Sequence, residues 1–438
     1  MGWLLRDIGY LASGFYILYS LIILSVYLFA TIRLWFTYRG VKKTSNELEL
    51  NPLVSIVIPA YNESVSIIQC ILSCRRQTYK NKEIIIVDDG STDGTSQLII
   101  DKFKLKEDNG VWKNGIITLI ITENRGKSAA LNTAIQHSKG KWIATIDADT
   151  LLVASAIYLT IKYIREDSDA VSSFVGVINE NKIENGRIKT HFVPKGILPR
   201  IQWLEYIRCF LLWRTANDKQ NACLVLPGAY SLIRKEFIQK VGGFKEGILS
   251  EDMELTMNMV KNGAKIQFLS RFLAWTEVPE KVSSLTKQRL RWYRGGVENL
   301  FRYKSMLFSF KRSGFVGFYM LPFLWFADVF GIWVELIGLI NLFVFWLLDI
   351  PIEWNLVLLS VIIVVLMYYI SMFLLVLFVK YKIFKNNKIK LYRVVPVILF
   401  EIISYHFLNL YWMIDSHTSH YFGKKKNWNK FARTGFTD

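Results

Sequence analysis

Trp142-Ile143-Ala144-Thr145-Ile146-Asp147-Ala148-Asp149-Thr150 is the stretch that decides the architecture. A short, mostly apolar run leads into two aspartates one residue apart. Such a run reads as a buried strand that stops at a pair of carboxylates. In open α/β sheets, ligands sit in the crevice outside the carboxyl ends of the strands. Two aspartates placed there offer hard oxygen donors. Mg²⁺ or Mn²⁺ suits such donors, with one or two carboxylates on the ion and substrate phosphates completing the shell. The competing reading makes Asp147 and Asp149 a turn and the cap of a following helix. Asp-x-Asp alone does not separate the two, so the flanking sequence must.

Upstream, short β-rich runs alternate with helical ones. Residues 54–59, 83–87, 117–122 and 142–146 read as strands, and 64–76, 94–104 and 127–138 as helices. Repeated βα units imply a mostly parallel sheet covered by helices, an α/β, Rossmann-like nucleotide-binding domain. No Gly-x-Gly-x-x-Gly follows the first strand, which argues against a dinucleotide. The first strand instead runs into Pro59-Ala60-Tyr61-Asn62-Glu63, and the second into Asp88-Asp89-Gly90-Ser91-Thr92-Asp93-Gly94-Thr95. Tyr61 offers a ring to stack on a base. Asp88 or Asp89 offers an acceptor for a uracil N–H or a ribose hydroxyl. Asp93 and Thr95 read as cap and turn residues. Asn124-Arg125-Gly126-Lys127 comes after the third strand and opens a helix, where the glycine lets backbone approach a phosphate and the lysine adds a point charge. Ordinary βα turn chemistry explains each turn singly. Four at one end of one sheet point to a nucleotide-diphosphate site.

The whole chain has 438 residues, is 52% hydrophobic and 15% aromatic, and carries a net charge of +18. Its apolar residues concentrate at the two ends, which indicates membrane spans around a globular domain. The positive charge has two readings, nucleic acid or membrane. No nucleic-acid motif accompanies it, so we read it as basic residues beside spans, facing the cytoplasm and anionic lipid, with some lining a site for an anionic substrate. Cys70, Cys74, Cys209 and Cys223 make no metal-type pattern with the five histidines. Reduced thiols in a cytosolic domain are the expectation.

Residues 8–32 are uncharged and long enough to span a bilayer; they are too long for a signal peptide and lack a small-residue cleavage site. Arg33, Arg39, Lys42 and Lys43 come next, so the adjoining domain is expected in the cytoplasm. Beyond the Asp-x-Asp stretch, residues 169–177 read as a strand and 179–199 as a loop. Residues 200–214 form an amphipathic helix with two open readings, a membrane-interface helix or a core helix. Ser250-Glu251-Asp252 precedes an amphipathic helix and suits its N-terminus. Gln288-Arg289-Leu290-Arg291-Trp292 lies on a helix, with Gln288, Arg291 and Trp292 on one face. Lys287, Arg289 and Arg294 alongside would also fit a basic interfacial helix.

Taken in order, these motifs resemble the processive family 2 glycosyltransferases of bacterial membranes, which include the synthases of poly-β-1,6-N-acetylglucosamine, cellulose and hyaluronan. The set comprises residues 57–63, 87–94, Gly126-Lys127-Ser128-Ala129-Ala130-Leu131-Asn132, Asp147-Ala148-Asp149, Ser250-Glu251-Asp252 and Gln288-x-x-Arg291-Trp292. The resemblance implies a GT-A domain flanked by N- and C-terminal transmembrane helices. It implies donor binding by Ala60, Tyr61, Glu63, Asp88, Asp89, Lys127, Asp147 and Asp149, with Asp147 and Asp149 also holding Mg²⁺ or Mn²⁺. Asp252 is the candidate general base. A carboxylate is a weak base in water, so burial or a neighbour such as Glu251 must raise its proton affinity. On the acceptor and diphosphate side the resemblance places Gly228, within Leu226-Pro227-Gly228-Ala229-Tyr230, together with Glu251, Gln288, Arg291 and Trp292. The family has Thr or similar where Ser250 stands.

The membrane pattern returns at the C-terminal end. Residues 315–348 are apolar but hold Asp328 and Glu335, and read as an interfacial helix followed by one span. Residues 354–379 are an uncharged span. The basic run 380–393 is expected in the cytoplasm, and 394–414 is a further candidate span, interrupted by Pro396, Glu401 and His406. If it crosses, the tail with Lys424, Lys425, Lys426 and Arg433 lies outside, against the positive-inside rule. Asp328, Glu335 and Glu401 either line a polysaccharide channel or sit at the membrane surface.

The resulting division is a span at 1–37, a linker at 38–52, a cytosolic GT-A domain at 53–312, transmembrane and interfacial helices at 313–416 and a basic tail at 417–438. No regulatory domain is expected after the last apolar segment. The expected activity is that of a multi-pass plasma-membrane, inverting hexosyltransferase. It would polymerise a UDP-sugar, UDP-N-acetylglucosamine first and UDP-glucose second, into a β-linked extracellular polysaccharide and export it. The expected partners are the donor, the growing polysaccharide or a lipid-linked acceptor and the bilayer, and there is room for a small accessory membrane subunit; nucleic acid is not expected. Two alternatives stand beside this reading: transfer of a single sugar to a lipid-linked acceptor, and a non-catalytic nucleotide-sugar sensor.

Overall fold

The computed structural model describes residues 2–38, 51–188, 193–218, 221, 223–350, 354–383 and 389–423. Most of the expected linker, with Arg39, Lys42 and Lys43, lies outside the described residues, as does the tail from Lys424 to the end.

A ten-stranded mixed sheet organises the domain. Its strands are β1 (Val54–Ala60), β2 (Lys82–Asp89), β3 (Lys106–Asp108), β4 (Val111–Asn114), β5 (Ile117–Thr122), β6 (Trp142–Thr145), β7 (Thr150–Leu152), β8 (Ala170–Val177), β11 (Ser231–Arg234) and β12 (Ile266–Thr276). A separate hairpin pairs β9 (Ile183–Glu184) with β10 (Arg187–Ile188). The sheet order is β3-β4-β5-β2-β1-β6-β11-β8-β12-β7. The central run β5-β2-β1-β6 is parallel, and so is the pair β8 and β12. Antiparallel pairing enters through β11, β7 and the β3–β4 hairpin.

Period-2 alternation divides β1 and β2 between two cores. Ile56, Ile58, Ile84 and Ile86 pack with Ile67, Cys70, Ile71 and Cys74 of the helix Ile67–Arg75 on one face. Val57, Ile85 and Val87 pack with Ala130, Leu131, Ala134 and Ile135 of the helix Lys127–His137 on the other. Burial on both faces explains why these strands read as near-continuous apolar runs. Cys70, Cys74 and Cys223 are buried thiols without disulfides.

The strands expected at 54–59, 83–87, 117–122 and 142–146 form within one or two residues of those bounds, and the helices expected between them form as well. The structure departs from expectation in three places. Residues 179–199 are not one irregular loop: they hold the β9–β10 hairpin, turned at Asn185-Gly186 with positive φ at both residues, and the first turn of the helix Ile197–Tyr206. That helix continues through Ile207–Leu212 and Trp213–Asn217. Its two open readings meet here, because it is buried between the sheet and the apolar helices. Trp203, Leu204, Ile207 and Leu211 share one cluster with Phe174 of β8 and with Met372, Leu375, Val376 and Phe378.

The third departure concerns the membrane helices. Among the described residues three helices are long and apolar enough to cross a bilayer: Gly14–Phe36, Ser313–Leu347 and Val357–Ile383. Residues 394–414 are not among them, since the apolar part is confined to Leu391–Phe400. The chain then continues as Glu401–Tyr405 and His406–Tyr421, and the latter lies along the helix Val282–Arg302. Tyr293 donates to Asn409 Oδ1 at 2.9 Å, Trp412 Nε1 donates to Thr286 Oγ1 at 3.1 Å, and Phe301 stacks on His420. Glu401 is buried against Arg208 at 2.7 Å, and Glu335 pairs with His406, so both acids are engaged within the protein.

The helix Glu251–Lys261 is locked against Val282–Arg302. Asn299 Nδ2 donates to the Ser250 carbonyl at 3.1 Å, and Tyr303 donates to Glu254 Oε1 at 2.8 Å. Gly295 makes this approach possible, since a Cβ there would lie 2.9 Å from the Ser250 backbone nitrogen. Gly295→Ala is therefore expected to destabilise the folded protein by about 1–3 kcal/mol through overpacking. A lower unfolding midpoint of the purified protein checks this.

Candidate active site

β1, β2, β5, β6, β8 and β12 all end at one edge of the sheet, and β7 and β11 begin there. This brings together the turns that the sequence motifs mark. The first two are laced to each other. Asn62, at φ 52°, accepts the Thr92 amide at 2.7 Å and donates its own amide to Ser91 Oγ at 2.8 Å. Glu63 and Ser64 donate their amides to Thr95 Oγ1 and Asp93 Oδ2 at 2.9 and 3.0 Å. Asp93 also accepts the Thr95 amide at 3.1 Å, in keeping with its cap reading. Glu63 is buried and takes the Ser66 hydroxyl at 2.8 Å. Ala60 is buried in register with Asp88, and Tyr61, half-buried, continues the chain out of the strand.

Asp88 and Asp89 are both buried. Asp88 Oδ1 accepts the Ser91 amide at 2.8 Å. Asp89 accepts the Arg125 and Gly126 amides, each at 2.8 Å, one on each oxygen. Burial pushes the Asp89 carboxyl above its ordinary value, and the two amides pull against that. These acids therefore hold the β2 and β5 turns in shape.

The centre of the site is a charge cluster drawn from three parts of the chain. Lys127 Nζ lies 2.6 Å from Asp147 Oδ1 and 3.0 Å from Glu251 Oε1. Burial works against the lysine's charge, but Asp147 and Glu251 outweigh it and raise its pKa. Asp252 stands beside Glu251 on the first turn of the same helix. Burial, and then the Glu251 charge, push its carboxyl up to about 6, against the opposing pull of Lys127. Lys127, Asp147, Gly228, Glu251 and Asp252 line one cleft with Pro59 and Leu131.

Asp149 is placed differently from Asp147. It is buried, and its Oδ1 accepts from the hydroxyls of Thr276 and Thr150 at 3.3 Å each. The turn thus leads into β7 and not into a helix, so the competing cap reading of Asp147 and Asp149 is set aside. Gly228 lies directly over the charge cluster. A Cβ on it would sit 2.8 Å from Lys127 Nζ and 2.9 Å from Asp147 Oδ1. Gln288 is buried, while Arg291 and Trp292 are half-buried. These three do not line the cleft; they belong to the helix locked onto Ser250.

The geometry agrees with two family models. "Glycosyl transferase family 2" matches residues 55–242, and "Glycosyl transferase family 21" matches residues 215–390. Over residues 55–242 the chain is therefore similar to the family 2 glycosyltransferases. It is 29% identical over 292 residues to the poly-β-1,6-N-acetyl-D-glucosamine synthase of Staphylococcus aureus (strain COL), covering 66% of each chain. It is 29% identical over 317 residues to the probable glycosyltransferase YdaM of Bacillus subtilis (strain 168), covering 70% of each. It thus spans 66% of the length of the first of these relatives. Among solved structures it is similar to the mannosyltransferase PcManGT of Pyrobaculum calidifontis, solved with GDP-Man and Mn²⁺. That match has a TM-score of 0.63 at 18% identity and covers 96% of this chain and 100% of the other. The GT-A fold is the shared architecture.

Among the described residues, no three His, Cys, Asp or Glu side chains gather closely enough to hold a metal by themselves. The donor set at this edge is two carboxylates. Such a set fits a hard divalent cation whose remaining ligands come from a diphosphate. Sequence reasoning missed the partners that fix these acids: Thr276 for Asp149, and the buried pair Arg289 and Glu205 behind Trp292. Their separations in the chain, 127 and 84 residues, carry no periodic signal. Gly228→Ala is expected to push Lys127 off Asp147 and lower the transfer rate about 10²-fold, the order seen for a 1 Å misplacement. Steady-state kinetics of purified variant and wild type checks this.

Proposed function

We propose that this protein is a membrane-embedded, inverting, processive hexosyltransferase that polymerises a UDP-sugar into a β-linked polysaccharide and exports it. The observation that carries the reading is the convergence of Lys127, Asp147, Glu251 and Asp252 on one cleft under Gly228. A nucleotide-sugar transferase needs a base for the acceptor hydroxyl and countercharge for a departing diphosphate. The cleft offers both. Asp252 takes the proton of the acceptor hydroxyl, that oxygen bonds to the anomeric carbon, and the bond from that carbon to the diphosphate breaks. UDP departs toward Lys127 in the cleft, and Arg291, on the helix outside it, is the second countercharge of this reading. Asp147 and Asp149 would hold Mg²⁺ or Mn²⁺, which supplies further positive charge to the diphosphate. Ala60, Tyr61, Glu63, Asp88 and Asp89 shape the uridine side through the laced turns. Gly228, Glu251, Gln288 and Trp292 belong to the acceptor side. The nucleotide-sugar and Mn²⁺ of the archaeal mannosyltransferase support the donor class and the cation. The name of the staphylococcal relative supports N-acetylglucosamine as the sugar.

The same reading accounts for the topology. Three crossings by Gly14–Phe36, Ser313–Leu347 and Val357–Ile383 would put the domain and the basic residues Lys380, Lys382, Lys390 and Arg393 on the cytoplasmic side. The helix His406–Tyr421, docked on the domain, stays on that side. All these basic residues then obey the positive-inside rule.

Membranes carrying the protein are expected to release UDP from UDP-N-acetylglucosamine and to yield a long polymer. A single-sugar lipid product would favour the alternative acceptor, and absence of turnover with any UDP-sugar would refute transfer. Asp252→Asn is expected to lower turnover about 10²- to 10⁴-fold while UDP binding persists. Retained turnover removes the base assignment. The pH profile carries the same information. A base held at about 6 is protonated and inactive below that value, so the wild-type rate should rise through about pH 6 and level off above it.

A further inference from the structure

Arg289 is the one buried charged residue of the helix Val282–Arg302, with 1% of its surface exposed. Its Nη2 lies 2.6 Å from Glu205 Oε2, and the Tyr405 hydroxyl donates to that same oxygen at 3.1 Å. Its Nε donates to Tyr405 Oη at 3.5 Å, and its Nη1 to Gln288 Oε1 at 3.4 Å. The face of the guanidinium covers the Trp292 indole, 4.3 Å from its centroid. Three distant segments thus meet on one planar group: the buried helix beside the membrane helices, the helix bearing Trp292 and the docked C-terminal helix.

Stability alone does not explain this cluster, because apolar side chains of similar volume commonly serve a buried ion pair's place as well or better. What an apolar pair lacks is a fixed orientation. The guanidinium fork is held at its edges by Glu205, Tyr405 and Gln288, so the plane that the indole packs on is set. Tyr206, the residue after Glu205, is buried in the cluster that also packs Trp292.

We propose that Arg289, clamped by Glu205 and Tyr405, is the positioning residue that orients the Trp292 indole for the acceptor sugar. The inference rests on the proposed acceptor-side role of Trp292. It assigns the clamp no part in donor binding, which is proposed for Lys127, Asp147, Asp149 and the β1 and β2 turns.

The experiment uses the full chain in lipid nanodiscs with UDP-N-acetylglucosamine, added β-linked N-acetylglucosamine oligosaccharides as acceptors, UDP release as the rate and gel sizing of the product. Arg289→Lys keeps the charge opposite Glu205 but loses the flat face and the fork. It should raise the acceptor KM about 3- to 30-fold and shorten the product, with the donor KM unchanged. The double variant Glu205→Leu with Arg289→Met should fold, with an unfolding midpoint near that of wild type, and show the same acceptor defect. A folded double variant that uses acceptors like wild type overturns the inference, as does an equal rise in donor and acceptor KM. A wild type that releases UDP but extends no acceptor overturns the acceptor-side reading itself, and the inference with it.

Discussion

The contact of Lys127 with Asp147 and Glu251 is the constraint on which the site depends. The lysine comes from the first turn of the helix after β5, Asp147 from the end of β6, and Glu251 from a helix more than a hundred residues later. Each carboxylate would repel the other, and both would repel Asp252, without a cation between them. Removing one partner of this cluster leaves the remaining charges uncompensated, at a cost lowered by the partial exposure of Lys127 and Asp147. Glu251, engaged by Lys127, stands beside Asp252 and, after burial, helps raise the proton affinity of that carboxylate.

The surrounding structure keeps this cluster in place by two devices. At the ends of β1, β2 and β5, backbone amides bind side-chain oxygens across turns: Asn62 with the β2 turn, Asp89 with the β5 turn. The residues that shape the floor are thereby fixed to the most buried strands. On the other side, the helix that starts with Glu251 is held at Ser250 by Asn299 and by the close approach of Gly295. That second helix is in turn covered by His406–Tyr421, so the membrane helices and the first turn carrying Asp252 belong to one packed unit.

Much of this is legible in the amino-acid order alone. Buried parallel strands announce themselves as β-branched runs, which is why β1, β2, β5 and β6 fall where the pattern puts them. Asp147, Lys127, Gly228, Glu251 and Asp252 share a cleft because each motif lies at a strand end or helix start on one edge of the sheet. Other features carry weaker signals. β12 is interrupted at Ser270 and Arg271 by register shifts, which hides its alternation, and β11 is only four residues long. The hairpin at Asn185-Gly186 is signalled by its turn residues alone, because its strands are two residues each inside a polar stretch. Arg289 reads as one more basic residue on an interfacial helix; only the fold reveals Glu205 opposite it. Residues 394–414 are apolar enough to suggest a span, yet Tyr405, Asn409 and Trp412 face the domain.

The central claim is that acids from both halves of the domain converge on one nucleotide-sugar site. Its most direct test is an experimental structure of the full chain in a lipid nanodisc with UDP and Mn²⁺. The account predicts the diphosphate at the Lys127 ammonium, the cation on Asp147 and Asp149, and Asp252 facing the space just beyond the β-phosphate. UDP seated away from Lys127, or Asp252 turned out of reach of that space, would contradict it.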